Sequence, residues 1–100
     1  MGDYHYDLVV VISCEPDHST ILSTAILLEG QTLVQIYAQA QTQLAIILAE
    51  LVALHPGCTS YSAHIYDPSI PSIDYTVSSA SLVLLIAQVY AELIYILATL

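Results

Sequence analysis

Apolar residues recur at i, i+3, i+4 and i+7 through residues 32–54, at Leu33, Ile36, Tyr37, Ala40, Leu44, Ile47, Leu48 and Leu51. This period is the stripe of an amphipathic helix, which must bury one side against another layer. The first half also fits a strand, since Gln35, Gln39, Gln41 and Gln43 alternate with Ile36, Ala38 and Ala40. Propensity decides for helix: Ala, Gln and Leu dominate, while Val and Thr do not. Thr32 and Gln35 stand at the spacing of a capping box, and Pro56-Gly57 stops the segment.

A second helix is expected over residues 80–99, with Ser78 and Ser79 as candidate N-caps. Sliding the chain by about 49 residues aligns Leu33-Val34 with Leu82-Val83 and Ile47-Leu48-Ala49 with Ile96-Leu97-Ala98. Before each helix lie two short runs that read as strands. They are Tyr4–Ser13 and Thr20–Leu28 in the first half, Thr59–Tyr66 and Ser72–Val77 in the second. Turn clusters separate the members of each pair, Glu15-Pro16-Asp17-His18 and Asp67-Pro68-Ser69-Ile70-Pro71. The expected fold is α+β, a two-layer ββαββα sandwich. Its four-stranded, mainly antiparallel sheet carries both helices on one face. One domain spans residues 1–100, in two ββα units of about 4–54 and 59–99. The element order is similar to a ferredoxin-like fold permuted to begin at its second strand, a likeness that carries no function.

The alphabet restricts what such a fold can do. The chain has no Lys, Arg, Asn, Phe or Trp, against nine carboxylates and a formal charge of −9. Phosphate backbones need cations to displace their counterions, so nucleic acid is not an expected partner. Anionic membranes and phosphate cofactors are disfavoured for the same reason, and the three glycines are too scattered for a phosphate loop. No cofactor is expected. The Met1-Gly2-Asp3-Tyr4 start lacks the regions of a signal peptide, and Tyr6 stands where a myristoylation signal has Ser or Thr. A cytoplasmic location is therefore the expectation, with membrane attachment through residues 81–100 as the alternative. That stretch has a mean hydropathy of about 1.9 and a spanning length. It also holds Gln88 and Glu92 and no flanking cation, which favours a core helix.

One constellation has ligand spacing, Cys14-x₃-His18 with His55-x₂-Cys58. In the ββα parse the first turn and the end of the first helix share a pole of the sheet, so a Cys₂His₂ zinc site at Cys14, His18, His55 and Cys58 is geometrically open. A Cys14–Cys58 disulfide is equally reachable. Unlinked residues are the expectation, because a reducing compartment keeps cysteines as thiols. A catalytic thiolate would need a nearby cation, whereas Glu15 and Asp17 oppose it. Asp67 and Asp74 flank a turn and are expected to be solvated, as are Glu50 and Glu92 on the helices. His5 and His64 occupy strand positions with no assigned role. The eight tyrosines read as plugs at the core edge. No enzymatic activity is expected.

The strands are apolar on both parities. Val9 and Val11 accompany Leu8, Val10 and Ile12, and Ile21, Ala25 and Leu27 accompany Leu22, Ile26 and Leu28. An apolar open sheet face marks a partner surface, so self-association through that face is expected.

The Leu33–Leu54 helix, its His55-Pro56-Gly57 stop and the Ser78-Ser79 start before SLVLLIAQVYAELIYILATL resemble computationally designed, idealised α/β proteins. Such designs carry abundant Glu, Lys and Arg outside, where this chain places Val34, Ile46, Val83 and Leu84. The resemblance implies an engineered scaffold that tests fold specification with a restricted alphabet. The other expectation is a small homo-oligomeric interaction or regulatory domain.

Overall fold

A computed structural model describes residues 3–100; the Met1-Gly2 start lies outside them. The elements run β1 (Tyr4–Glu15), β2 (Ser19–Gly30), α1 (Leu33–Leu54), β3 (Ser60–Asp67), β4 (Ile70–Ser79) and α2 (Leu82–Thr99). They form the ββαββα order expected, with one antiparallel sheet ordered β2-β1-β3-β4 and the helices packed on it. Strand order departs from the ferredoxin-like likeness. That permutation would put β2 and β4 side by side in the centre, whereas here β1 and β3 meet there. Each hairpin thus supplies one central and one border strand.

Strand alternation sorts the sheet into two faces. Tyr6, Leu8, Val10 and Ile12 of β1 are buried under the helices, joined by Ile26 and Leu28, by Tyr61, Ala63 and Ile65, and by Ile73. Ile36, Ala40, Leu44, Ile47 and Leu51 of α1 and Leu85, Ile86, Val89, Leu93 and Leu97 of α2 close the core from above. Truncating a central member such as Leu8, 1% exposed, to Ala removes packing worth about 2–5 kcal/mol. Leu33 and Leu82 each open their helix, as the internal echo requires.

The start of α1 is the capping box read from the sequence. Thr32 Oγ1 accepts the Gln35 N–H at 3.2 Å, and Gln35 Oε1 accepts from Thr32 and Gln31 N–H. A Cβ on Gly30 would stand 2.8 Å from Gln35 Oε1, so a larger residue there would displace the capping carboxamide. For α2 the cap lies two residues beyond the later of the two expected serines. Ser81 Oγ accepts the Leu84 N–H at 3.3 Å, while Ser79 is still in β4, paired with Tyr61. Neither helix has an acid in its first turn or a base in its last. Caps and packing hold them without help from charges on the helix dipole.

Two irregularities adjust the ladders. Ile12 pairs with Leu22 but Ser13 with Thr20, which leaves Ile21 as a bulge that packs toward the core. Ile21 therefore does not join the open face. Between β3 and β4, Tyr66 pairs with Asp74 and Asp67 with Ile70, so the ladder skips residues 71–73 around Pro71, which has no N–H to give.

Candidate functional site

The pole shared by the β1–β2 turn and the end of α1 gathers the residues with ligand spacing. Cys14 and Cys58 are joined in a disulfide, with Cα atoms 5.5 Å apart. The expectation of unlinked thiols is corrected here. The topology places the tail of β1 against the segment leading into β3, where Cys14 faces Tyr61, and that distance suits the bond. Bonded sulfurs are not thiolates and cannot ligate zinc. His18 turns instead to Glu15, Nδ1 to Oε2 at 3.0 Å. His55 forms the α1 C-cap in the left-handed region, φ 49°, donating its N–H to the Val52 carbonyl. Among the described residues no group of three or more His, Cys, Asp or Glu could hold a metal ion. The Tyr61 hydroxyl donates to the Pro56 carbonyl at 2.8 Å and ties the linker to the sheet.

On the open face the histidines supply the only side-chain cations the chain can form. His64 Nε2 lies 2.7 Å from Asp74 Oδ1, and its ring stacks on Tyr66 with centroids 4.8 Å apart. His5 bridges two carboxylates, Asp7 at 2.9 Å and Glu29 at 3.2 Å. The hydrogen bond to Asp7, then that to Glu29, raises the His5 pKa above its ordinary 6.5. Each ring also meets an acid on the adjacent strand, Glu29 for His5 and Asp74 for His64, a pairing visible only once register is known. His5 lies beyond the β1–β3 ladder, which begins at Val9 and Tyr66, so it and His64 do not share a site.

Asp67 is the carboxylate that sequence reasoning placed wrongly. It is 4% exposed rather than solvated. Its Oδ2 accepts the Asp7 N–H at 3.1 Å and its Oδ1 the Ser69 N–H at 2.8 Å. It thereby closes the turn and finishes the β1–β3 border, with two backbone donors in place of a cation. Tyr75, half-buried, is similar in kind, its hydroxyl donating to the Val89 carbonyl at 2.7 Å.

The surface itself is the remaining candidate. The open sheet face presents Val9, Val11, Ala25, Leu27 and Tyr66 as a band among serines, histidines and carboxylates. More large apolar side chains stand out on the helix layer, Val34, Ile46, Val83, Leu84 and Tyr95 among them, each at least half exposed. A groove of about 240 Å³ runs between the helices, floored by Leu44, Ala45, Leu48, Val83, Ile86 and Ala87. Of the nine carboxylates only Glu50 and Glu92 belong to the helices. Both helices are long and apolar enough to cross a membrane by length and composition, although here each packs one side on the sheet. No family model, curated protein or solved structure matches the chain.

Proposed function

We propose that the protein is a non-enzymatic scaffold that works by surface contact, assembling with copies of itself through its charge-poor helix layer. The observation that carries this is the distribution of charge and oil. Val34, Val83 and Leu84 are 74%, 60% and 58% exposed, on the layer that holds two carboxylates while the other seven lie on strands, turns and the N-terminal segment. Copies that meet helix layer to helix layer bury apolar surface and keep most of their negative charge apart. The Cys14–Cys58 bond supports an oxidising setting over the cytoplasmic one expected from the N-terminal residues.

The alphabet supports a second reading, about origin. Two ββα units with side-chain caps on both helices, built without Lys or Arg, fit an engineered scaffold. Recovery of a close relative from a natural genome would overturn it.

The assembly is tested by light scattering from micromolar to millimolar protein. The expected result is a mass above the 10.8 kDa monomer, lowered by the combined variant Val34→Gln, Val83→Gln, Leu84→Gln. A mass unmoved by that variant would overturn the helix-layer assignment.

A further inference from the structure

The sheet ends in two borders, β2 and β4, and they are defended differently. β4 carries Pro71 and Asp74, two of the usual guards against strand addition. β2 runs twelve residues with one charge, Glu29, and no proline. At Glu29 the border is closed from within. Gln39 of α1 accepts the Glu29 N–H through Oε1 at 2.9 Å and donates through Nε2 to the Glu29 carbonyl at 2.6 Å. Its carboxamide does there what a neighbouring strand would do. The same two bonds show how the backbone faces. Glu29 turns both groups away from β1, and the alternation of an antiparallel ladder turns those of Leu27, Ala25 and Ser23 the same way. All three pair with β1 in regular register, clear of the Ile21 bulge, and all three are exposed.

We infer that this open stretch of β2 pairs antiparallel with the β2 strand of a second copy. Ala25 faces Ala25 across a two-fold axis and Ser23 faces Leu27. Three facing pairs exchange about six backbone hydrogen bonds, two per pair, and the two four-stranded sheets become one. The sequence 21–28, ILSTAILL, is uncharged. In this register each Glu29 falls opposite Ile21 of the other copy, so the two acids end far apart.

The helix above selects a second copy over a free extended peptide. Ile46 follows Gln39 by seven residues and so lies on the same side of α1, about 10 Å further along. That rise equals about three residues of strand and sets Ile46, 50% exposed, near the level of Ala25. A bare strand would leave Ile46 in water, whereas a second copy covers it with its own Ile46. Glu50, one turn on, shares that side and is exposed. The junction brings the two Glu50 carboxylates toward each other, so salt and Glu50→Gln should tighten it.

The junction is distinct from the outer helix layer, and the experiment separates them. With the helix layer silenced by Val34→Gln, Val83→Gln and Leu84→Gln, sedimentation equilibrium of the oxidised chain should give a dimer whose dissociation constant rises about tenfold or more in Ala25→Pro. Proline there removes an N–H that points away from β1, so the intramolecular ladder and the circular dichroism should persist. Glu50→Gln in the same background should lower the constant. If Ala25→Pro fails to fold, hydrogen exchange of the unmodified chain decides. The Ser23, Ala25 and Leu27 amides should gain protection as concentration rises, while Thr24 and Ile26 stay protected throughout. A helix-layer variant that is monomeric at millimolar concentration in high salt, a folded Ala25→Pro that dimerises as well as its parent, or three border amides that exchange equally fast at every concentration would overturn the inference.

Discussion

Cys14 on β1 is bonded to Cys58 just before β3, closing a sequence separation of 44 residues that contains all of β2 and α1. The cross-link removes conformations from the unfolded chain more than it adds contacts to the folded one. For a loop of that length the entropy removed is worth about 4 kcal/mol. Urea unfolding with and without reductant should show a loss of this order, matched by the Cys14→Ser, Cys58→Ser double variant. An unchanged midpoint would show that the bond contributes nothing.

His55 and Gly57 each sit where the other would serve better. His55 holds φ 49°, a left-handed cap position at which a side chain costs free energy. Gly57 has open space where a Cβ would go. His55→Gly should stabilise the fold by about 1 kcal/mol, and Gly57→Ala by about 0.4–1 kcal/mol through the unfolded chain. Thermal melts of the two single variants and their combination check both signs.

Asp67 should be intolerant of change despite its place at a turn. Asp67→Ala strands the N–H groups of Asp7 and Ser69, at a cost of about 1–3 kcal/mol. Asp67→Asn keeps one acceptor and should fall between. Equal stability of Asp67→Ala and the parent, by urea titration, would contradict the account.

The pH dependence has two arms. Burial, then the charge of Glu92, pushes the Tyr75 phenol far above its ordinary 10.0. The folded state keeps that proton after the unfolded chain has lost it, so stability is full below about pH 10 and falls above it by up to about 1.4 kcal/mol per pH unit. Tyr75→Phe should flatten this arm. His5 has its pKa raised by Asp7 and Glu29, so its contribution is complete below about pH 6.5 and fades as pH rises through the raised value. Midpoints of denaturation against pH, with His5→Gln as control, should show both slopes; a rise in stability through either window would refute the corresponding assignment.

The helices were legible because their signals are local. Thr32 and Gln35 are three residues apart, and the apolar stripe from Leu33 to Leu51 repeats every turn, so neighbours in sequence carry the whole message. Strand order was not, because periodicity says which residues face the core and nothing about which strand lies beside which. Asp67 looked solvated for the same reason, since its partner Asp7 is sixty residues away and meets it only after β1 and β3 align. The pole that joins Cys14 to Cys58 followed from the ββα path. The bond did not, because the N-terminal residues argued for a reducing compartment and spacing is silent on redox state. Ile21 fell on the wrong face because one unpaired residue inverts the parity of a strand.

The β1–β3 seam would form equally well between hairpins of two different chains. A reduced molecule that opens at residues 55–59 can trade its second ββα half with a neighbour, each completing the other's sheet. The sulfur bridge anchors the first residues of the second half to the end of β1 and forbids that trade. Once that bridge is closed, both halves of a sheet have to come from a single polypeptide.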